Sequence, residues 1–176
     1  MSKNPNRIPF DDALIIANKV ISFVESNSKT SNCKLYLCGS LRRKSKDCGD
    51  VDFCVLDSDW EVLEPVFREC DFFEDKQILV KDGTFKSGAL DGLNIEFYVG
   101  PKDGMGALMQ FTTGSAAHNV EVRRKAIKLG YKVNQYGVWD RKTNQFIGGK
   151  TEEEFYKVLG LDYLSPEERS KNWSQI

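Results

Sequence analysis

The chain has 176 residues, with 25 Lys and Arg against 26 Asp and Glu, giving a formal net charge of −1. It is 40% hydrophobic, enough for an ordinary core, and its length suits one domain or one domain with a small appendage. No apolar run reaches the ~18 residues of a membrane span, and the N-terminus lacks the pattern of a secretory signal. Five cysteines without a Cys-x-x-Cys pair, and a single distant histidine, His118, argue against a disulfide framework or a zinc site. They point to free thiols in a reducing, intracellular compartment. The near-neutral balance excludes a uniformly polybasic surface, but basic clusters stand at residues 42–46 and at Arg123-Arg124-Lys125, continued by Lys128 and Lys132.

In chain order, residues 10–24 place Leu14, Ile15, Val20, Ile21 and Val24 roughly at helical spacing, with Asp11 and Asp12 in the first turn, where the helix dipole favours them. Residues 34–38 read as a short buried strand ending at Gly39-Ser40, residues 50–56 as a second strand, and residues 60–70 as a helix. Residues 76–81, 84–89 and 93–99 read as strands joined by turns at Asp82-Gly83 and Asp91-Gly92. After Pro101, residues 104–111 and 115–129 read as helices, the second closed by Gly130. A hairpin is predicted near residues 132–134 and 137–141. Thr151 through Glu154 offers a capping box for a short helix reaching Leu159. The fold class is α+β: a sheet-based lobe over residues 1–105 and a smaller α+β lobe over residues 106–176.

The sharpest chemical pattern is Gly39-Ser40, nine intervening residues, then Asp50-Val51-Asp52. Carboxylates at i and i+2 of a strand share a face, leaving Val51, Phe53 and Val55 to pack on the other. Such carboxylates repel unless a cation lies between them, and they suit Mg²⁺, which takes one or two carboxylates with phosphate oxygens and water. The Gly-Ser turn ends a strand and opens a helix bearing Arg42 and Arg43. Glycine admits a phosphate closely, a helix start offers free N–H groups, and arginine adds a charge-assisted contact. A triphosphate site beside a metal-holding pair is what in-line phosphoryl transfer with two metals requires. A third carboxylate is needed to hold the catalytic metal and help deprotonate an attacking hydroxyl. Glu96 is the candidate, with Asn94 and Tyr98 on its face and Ile95, Phe97 and Val99 opposite. Asp91 is the rival, but Asp91-Gly92 reads as a turn.

Together these residues resemble the palm motif of family X DNA polymerases, of which polymerase beta is the best-known type. Gly39 through Arg43 and Cys48 through Asp52 carry the likeness, and Arg7-Ile8-Pro9 resembles the first palm residues. Gln110 through Ser115, with Asn119 and Arg123, resembles the palm–thumb junction and nucleotide-binding helix. Residues 133–137, 151–156 and 159–163 resemble the thumb.

The resemblance implies a nucleotidyltransferase palm, a mixed sheet flanked by helices, over residues 1–105. It implies a small α+β thumb over residues 106–176 and no N-terminal lyase or DNA-gripping domain, a compact form that occurs in viruses. It implies a monomeric DNA-directed DNA polymerase that extends a primer 3′-hydroxyl from dNTPs and fills short gaps in DNA repair. Its partner is then gapped or primer–template DNA, its cofactor two Mg²⁺ ions with Mn²⁺ as the alternative, and an auxiliary DNA-binding partner is left open. Asp50 and Asp52 are implied to hold both metals, and Glu96 the catalytic one. Arg7, Gly39, Ser40, Arg43, Cys48 and Gly49 are implied at the triphosphate, Cys48 where the family often has serine. Phe111, Thr112, Gly114 and Ser115 are implied at the sugar, and Asn119 at the minor-groove edge of the incoming base. Arg123 is implied on the templating strand, with Arg124 and Lys125 adding to the DNA-binding face. His118 has no role in that scheme and is assigned to packing or surface.

Two departures carry expectations. Glu96 stands where the family commonly has aspartate, which predicts slower turnover and a preference for Mn²⁺. Phe111 and Thr112 stand where the family often has two bulky aromatics, which predicts relaxed discrimination between ribo- and deoxyribonucleotides. Two competing readings remain: a template-independent or non-DNA nucleotidyltransferase, which suits the low positive charge, and a catalytically impaired scaffold that keeps the fold.

Overall fold

The computed structural model describes residues 7–74 and 84–170; the strand expected at 76–81 and the turn at Asp82-Gly83 lie outside them. Strand β1 (Ile8–Pro9) leads directly into helix α1 (Phe10–Ser26), which buries Ala13, Ile16, Ala17, Val20 and Val24 along one stripe. Strand β2 (Tyr36–Leu37) runs into the single turn α2 (Gly39–Arg42), followed by β3 (Asp47–Cys48), β4 (Asp50–Leu56) and α3 (Asp57–Glu69). Strands β5 (Thr84–Leu90) and β6 (Leu93–Gly100) form a hairpin around Asp91-Gly92. Both turn residues have positive φ, 51° and 75°, as two-residue hairpin turns matching the sheet twist require. Then come α4 (Met105–Thr113), α5 (Ala116–Lys128), the strands β7 (Tyr131–Asn134), β8 (Gly137–Asp140) and β9 (Phe146–Gly148), and α6 (Glu152–Val158).

The main sheet has the order β2-β4-β6-β5 and is mixed: β4 and β6 are parallel, while β2 and β5 run antiparallel to their neighbours. Its two faces separate core from chemistry, as the pleat dictates. Val51, Phe53 and Val55 of β4 and Ile95 and Phe97 of β6 pack with α1 and α3. Aromatic rings tie this layer together, Phe97 stacking on Phe53 at 5.6 Å and lying tilted against Phe67 of α3 at 5.1 Å. The opposite face carries Asp52, Cys54, Glu96 and Tyr98. There Cys38, Cys54, Met105 and Leu108 form a small core that reaches onto α4. A third core, including Ala107, Val122, Val138, Phe155, Tyr156 and Leu159, joins α4, α5 and α6 to the sheet β7-β8-β9. Helix α4 therefore contributes to the cores of both lobes.

A buried ion network crosses between the lobes. Glu152, in the first turn of α6, accepts from Arg42 of α2 at 2.5 and 3.1 Å and from Arg169 at 2.7 Å. Arg169 is fully buried, donates also to the Leu164 carbonyl, and lies 5.2 and 5.6 Å over the rings of Tyr156 and Tyr163.

Some expectations need correction. The strand expected over 34–38 pairs only at Tyr36–Leu37, because the Lys34 N–H is taken by the Asp59 carboxylate of α3 at 3.0 Å. Thr151 caps α6 by accepting from the Glu154 N–H, but the Glu154 carboxylate reaches back to the N–H groups of Gly149 and Lys150. Arg42 turns away from the Gly-Ser turn, towards Glu152 and Thr113. His118 is packed, fully buried. All five thiols are free, with Cys38, Cys48 and Cys54 buried.

Candidate active site

The parallel register sets Asp52 beside Glu96 and Asp50 beside Asn94. Asp52 and Glu96 are buried, at 9% and 8% exposure, and Asp50 is half-buried. Burial raises the Asp52 pKa well above the carboxylate range; the charges of Asp50 and Glu96 push the same way, and Arg43 opposes them. A divalent cation relieves that condition. The donor set is hard oxygen, which fits Mg²⁺ or Mn²⁺. The three carboxylates share a face, but among the described residues no three ligand side chains converge closely enough to enclose an ion unaided. Tyr98, two residues along the same face of β6, donates its hydroxyl to Glu96 Oε2 at 2.8 Å. Burial, with the carboxylates of Asp52 and Glu96, raises the Tyr98 pKa and keeps the phenol protonated as that donor.

The Gly-Ser turn approaches the carboxylates as closely as a chain can. Gly39 has φ +60°, and a Cβ built there would stand 1.8 Å from Asp52 Oδ2. The turn is pinned by the Cys38 N–H, which donates to the Asp52 carbonyl at 2.8 Å. Ser40 is buried, its hydroxyl beside the Cys48 thiol but without hydrogen-bond geometry to it or to any other group. An unspent buried donor in such a turn suits a phosphate oxygen. Burial raises the Cys48 thiol above its usual pKa, so it stays a weak neutral donor.

Arg43 is half-buried between the two lobes. Its Nη1 donates to the Thr113 carbonyl, while its Nε has no partner. Burial lowers its pKa, opposed by the charges of Asp52, Cys48 and Asp50. Nη1 lies 3.3 Å from where a Cβ on Gly114 would be, so Arg43 reaches from the palm to the cis Gly114–Ser115 peptide. Arg7 is exposed beside β3, paired with Asp47. Ser115 caps α5 and donates to the Arg169 carbonyl at 2.8 Å.

On the thumb side, Phe111 and Thr112 are half-buried near the end of α4, and Asn119 is half-buried on α5. The Asn119 amide donates to the Phe111 carbonyl at 2.8 Å and accepts from Gln110 at 2.9 Å. Arg123, one turn further on, places its guanidinium 5.6 Å over the Phe111 ring. Arg124 is paired with Glu121 at the surface, and Lys125 is half-buried. Beyond Arg123 an open groove of about 330 Å³ is lined by Ile127, Tyr131, Lys132, Val133 and Arg141. No helix among the described residues is long and apolar enough to cross a membrane.

Sequence reasoning placed Tyr98 on the right face without a role and missed Thr113, Glu152 and Arg169. Alternation with Glu96 was the available signal for Tyr98. Nothing local marks the other three, whose partners come from distant elements.

Residues 7–88 match the DNA polymerase beta palm and residues 107–170 the DNA polymerase beta thumb. The DNA polymerase/3'-5' exonuclease PolX of Bacillus subtilis (strain 168) is 28% identical over 171 residues, which is 95% of this chain and 29% of that protein. The Repair DNA polymerase X of African swine fever virus (isolate Tick/Malawi/Lil 20-1/1983) is 26% identical over 177 residues, covering 89% of this chain and 98% of the viral protein. DNA nucleotidylexotransferase of Xenopus laevis is 37% identical over 59 residues, 33% of this chain and 12% of that enzyme. Palm and thumb are matched in order over the two lobes that carry the carboxylate face and the Asn119–Arg123 helix, and the chain belongs to the DNA polymerase beta family of nucleotidyltransferases, family X.

Proposed function

We propose that this protein is a DNA-directed DNA polymerase that adds nucleotides to a primer 3′-hydroxyl and fills short gaps in DNA repair. One observation carries the reading: the Asp50, Asp52 and Glu96 face lies against the Gly39-Ser40 turn, and Arg43 links both to the α4–α5 junction. The names of relatives that align along most of the chain, DNA polymerase X and Repair DNA polymerase X, support it.

In this reading Asp50 and Asp52 hold two divalent ions, Mg²⁺ or Mn²⁺, with Glu96 at the catalytic one. Bound there, the ions neutralise charge on the triphosphate and the attacking oxygen. The chain's own residues do the rest. Ser40 and Arg43 bring unspent donors to the triphosphate, with Gly39, Cys48, Gly49 and Arg7 around it. Tyr98 fixes the orientation of Glu96 towards the primer hydroxyl. Phe111, Thr112 and the Gly114–Ser115 peptide flank the sugar, and the small Thr112 leaves room for a ribose 2′-hydroxyl. Asn119 meets the incoming base, and Arg123 the templating strand. Arg124, Lys125 and the groove edged by Lys132 and Arg141 extend the DNA path. The palm spans residues 1–105 and the thumb residues 106–176. The enzyme works as a monomer, and its free thiols suit a reducing compartment.

A template-independent transferase is the second reading, which suits the net charge of −1. Primer extension on a one-nucleotide gap, beside a single-stranded primer and with each dNTP separately, separates the two. Insertion of the complementary base, lost in an Asp50→Ala/Asp52→Ala control, is expected. Activity on the single strand alone would replace the first reading by the second.

A further inference from the structure

Gln110 is a polar side chain at 2% exposure on α4, and none of the roles above uses it. Burying an amide is unfavourable unless its hydrogen bonds are made, so its partners are informative. Its Nε2 donates to Asn119 Oδ1 at 2.9 Å, and Asn119 Nδ2 donates to the Phe111 carbonyl at 2.8 Å. The Asn119 amide is therefore held at both ends. One of its two N–H bonds is used on Phe111; the other is left for a ligand. Rotating the amide by a half-turn would set nitrogen against nitrogen at Gln110 and oxygen against oxygen at Phe111.

Gln110 is itself fixed from behind. Its amide also faces the hydroxyl of Tyr156, which is 1% exposed and lies 2.7 Å from His118 Nε2. Burial, assisted by Arg169, lowers the His118 pKa to about 4, so the imidazole is neutral near pH 7 and can accept. Gln110 donates to Asn119, and its amide stands beside the hydroxyl of Tyr156, which pairs with the neutral His118 ring.

We propose that Gln110 is a positioning residue for nucleotide recognition: it locks the Asn119 amide so that an N–H, and not the carbonyl oxygen, faces the minor-groove edge of the incoming base. This rests on the polymerase reading and deepens it. Both A·T orientations present acceptors at that edge, adenine N3 and thymine O2, so a fixed donor there accepts either while requiring an acceptor to be present.

The test compares dATP with 3-deaza-dATP, which lacks the N3 acceptor, on a one-nucleotide gap opposite template T. For the wild-type protein the analogue is expected to lower kcat/KM by about tenfold, the worth of one hydrogen bond. Asn119→Ala is expected to remove the difference. Gln110→Met, which keeps the side-chain volume, is expected to shrink it to about twofold, with the loss for dATP appearing in KM rather than kcat. Gln110→Leu, likewise without a donor to Asn119, is expected to do the same. It decides the matter if thermal melting shows the Met variant unfolded. Retention of the wild-type ratio in the folded Gln110 variants, with Asn119→Ala erasing it, overturns the inference and leaves the polymerase reading standing. Retention in Asn119→Ala overturns the base-reading role itself, and the inference with it.

Discussion

Asp52 is a carboxylate placed where its charge is unwelcome. A carboxyl whose folded pKa lies above its unfolded value holds its proton more tightly when folded. The fold therefore loses stability as pH rises from the unfolded value through the folded one. Asp52→Asn is expected to abolish metal-dependent nucleotide transfer yet, near pH 7 without divalent ions, to raise the thermal midpoint by about 2–4 °C. A lower midpoint in EDTA would contradict this account of the site. His118, the chain's one histidine, gives the opposite sign. Its pKa is lowered from 6.5 to about 4, so the unfolded chain takes up the proton first. Stability is intact above about 6.5 and drains as pH falls towards 4. Urea midpoints should drop between pH 7.5 and 5.5, and less steeply in His118→Gln; parallel slopes would count against the assignment. Glu96 is one methylene longer than the aspartate common in the family. Glu96→Asp is expected to raise Mg²⁺-supported turnover about tenfold relative to Mn²⁺. Single-turnover rates with each metal would settle it, and an unchanged ratio would remove the explanation.

At the scale of elements, α4 is the piece on which the site depends. Its first N–H groups are satisfied by the segment that leads into α6, Gly106 donating to the Lys150 carbonyl at 3.1 Å and Ala107 to that of Gly149 at 2.8 Å. The approach is possible because residue 106 is glycine; a Cβ there would stand 2.1 Å from the Thr151 carbonyl carbon. Gly106→Ala should cost about 1–3 kcal/mol of unfolding free energy, the range for overpacking, and slow turnover by shifting Phe111 and Thr112. An unchanged urea midpoint would mean that the segment before α6 yields there. The longer elements were legible in the sequence because each shows a period: β4 falls at the residues expected, and the Asp91-Gly92 turn takes its predicted place. Strands β1, β3 and β9, of two or three residues, are too short to show one. Adjacent Arg42 and Arg43 read alike in sequence, yet one faces a buried glutamate 110 residues away and the other the Thr113 carbonyl at the end of α4. Only the fold separates them. Gln110 stands in the segment that resembles the palm–thumb junction, but its partner Asn119 is on the next helix.

At the scale of the molecule, the two lobes are joined through one buried carboxylate, Glu152, which is shared by an arginine from each. Glu152 and Arg169 have side-chain exposures of 7% and 0%, and Arg42 supplies the third member from the palm. Removing the carboxylate strands a buried guanidinium, so Glu152→Ala is expected to destabilise by about 3–5 kcal/mol in urea unfolding. A loss below about 1 kcal/mol would mean that water reaches the network.

The parallel pairing of β4 with β6 bears on how the protein comes to be active. Asp50 and Asp52 are brought to Glu96 only when two strands separated by the whole of α3 and β5 align side by side. Such non-local pairing forms slowly compared with helices and hairpins, because loop closure must precede the contacts that reward it. A nascent chain with its helices and its β5–β6 hairpin already formed would still lack a complete carboxylate face. Competence to bind divalent ions would then mark the end of folding rather than accompany it.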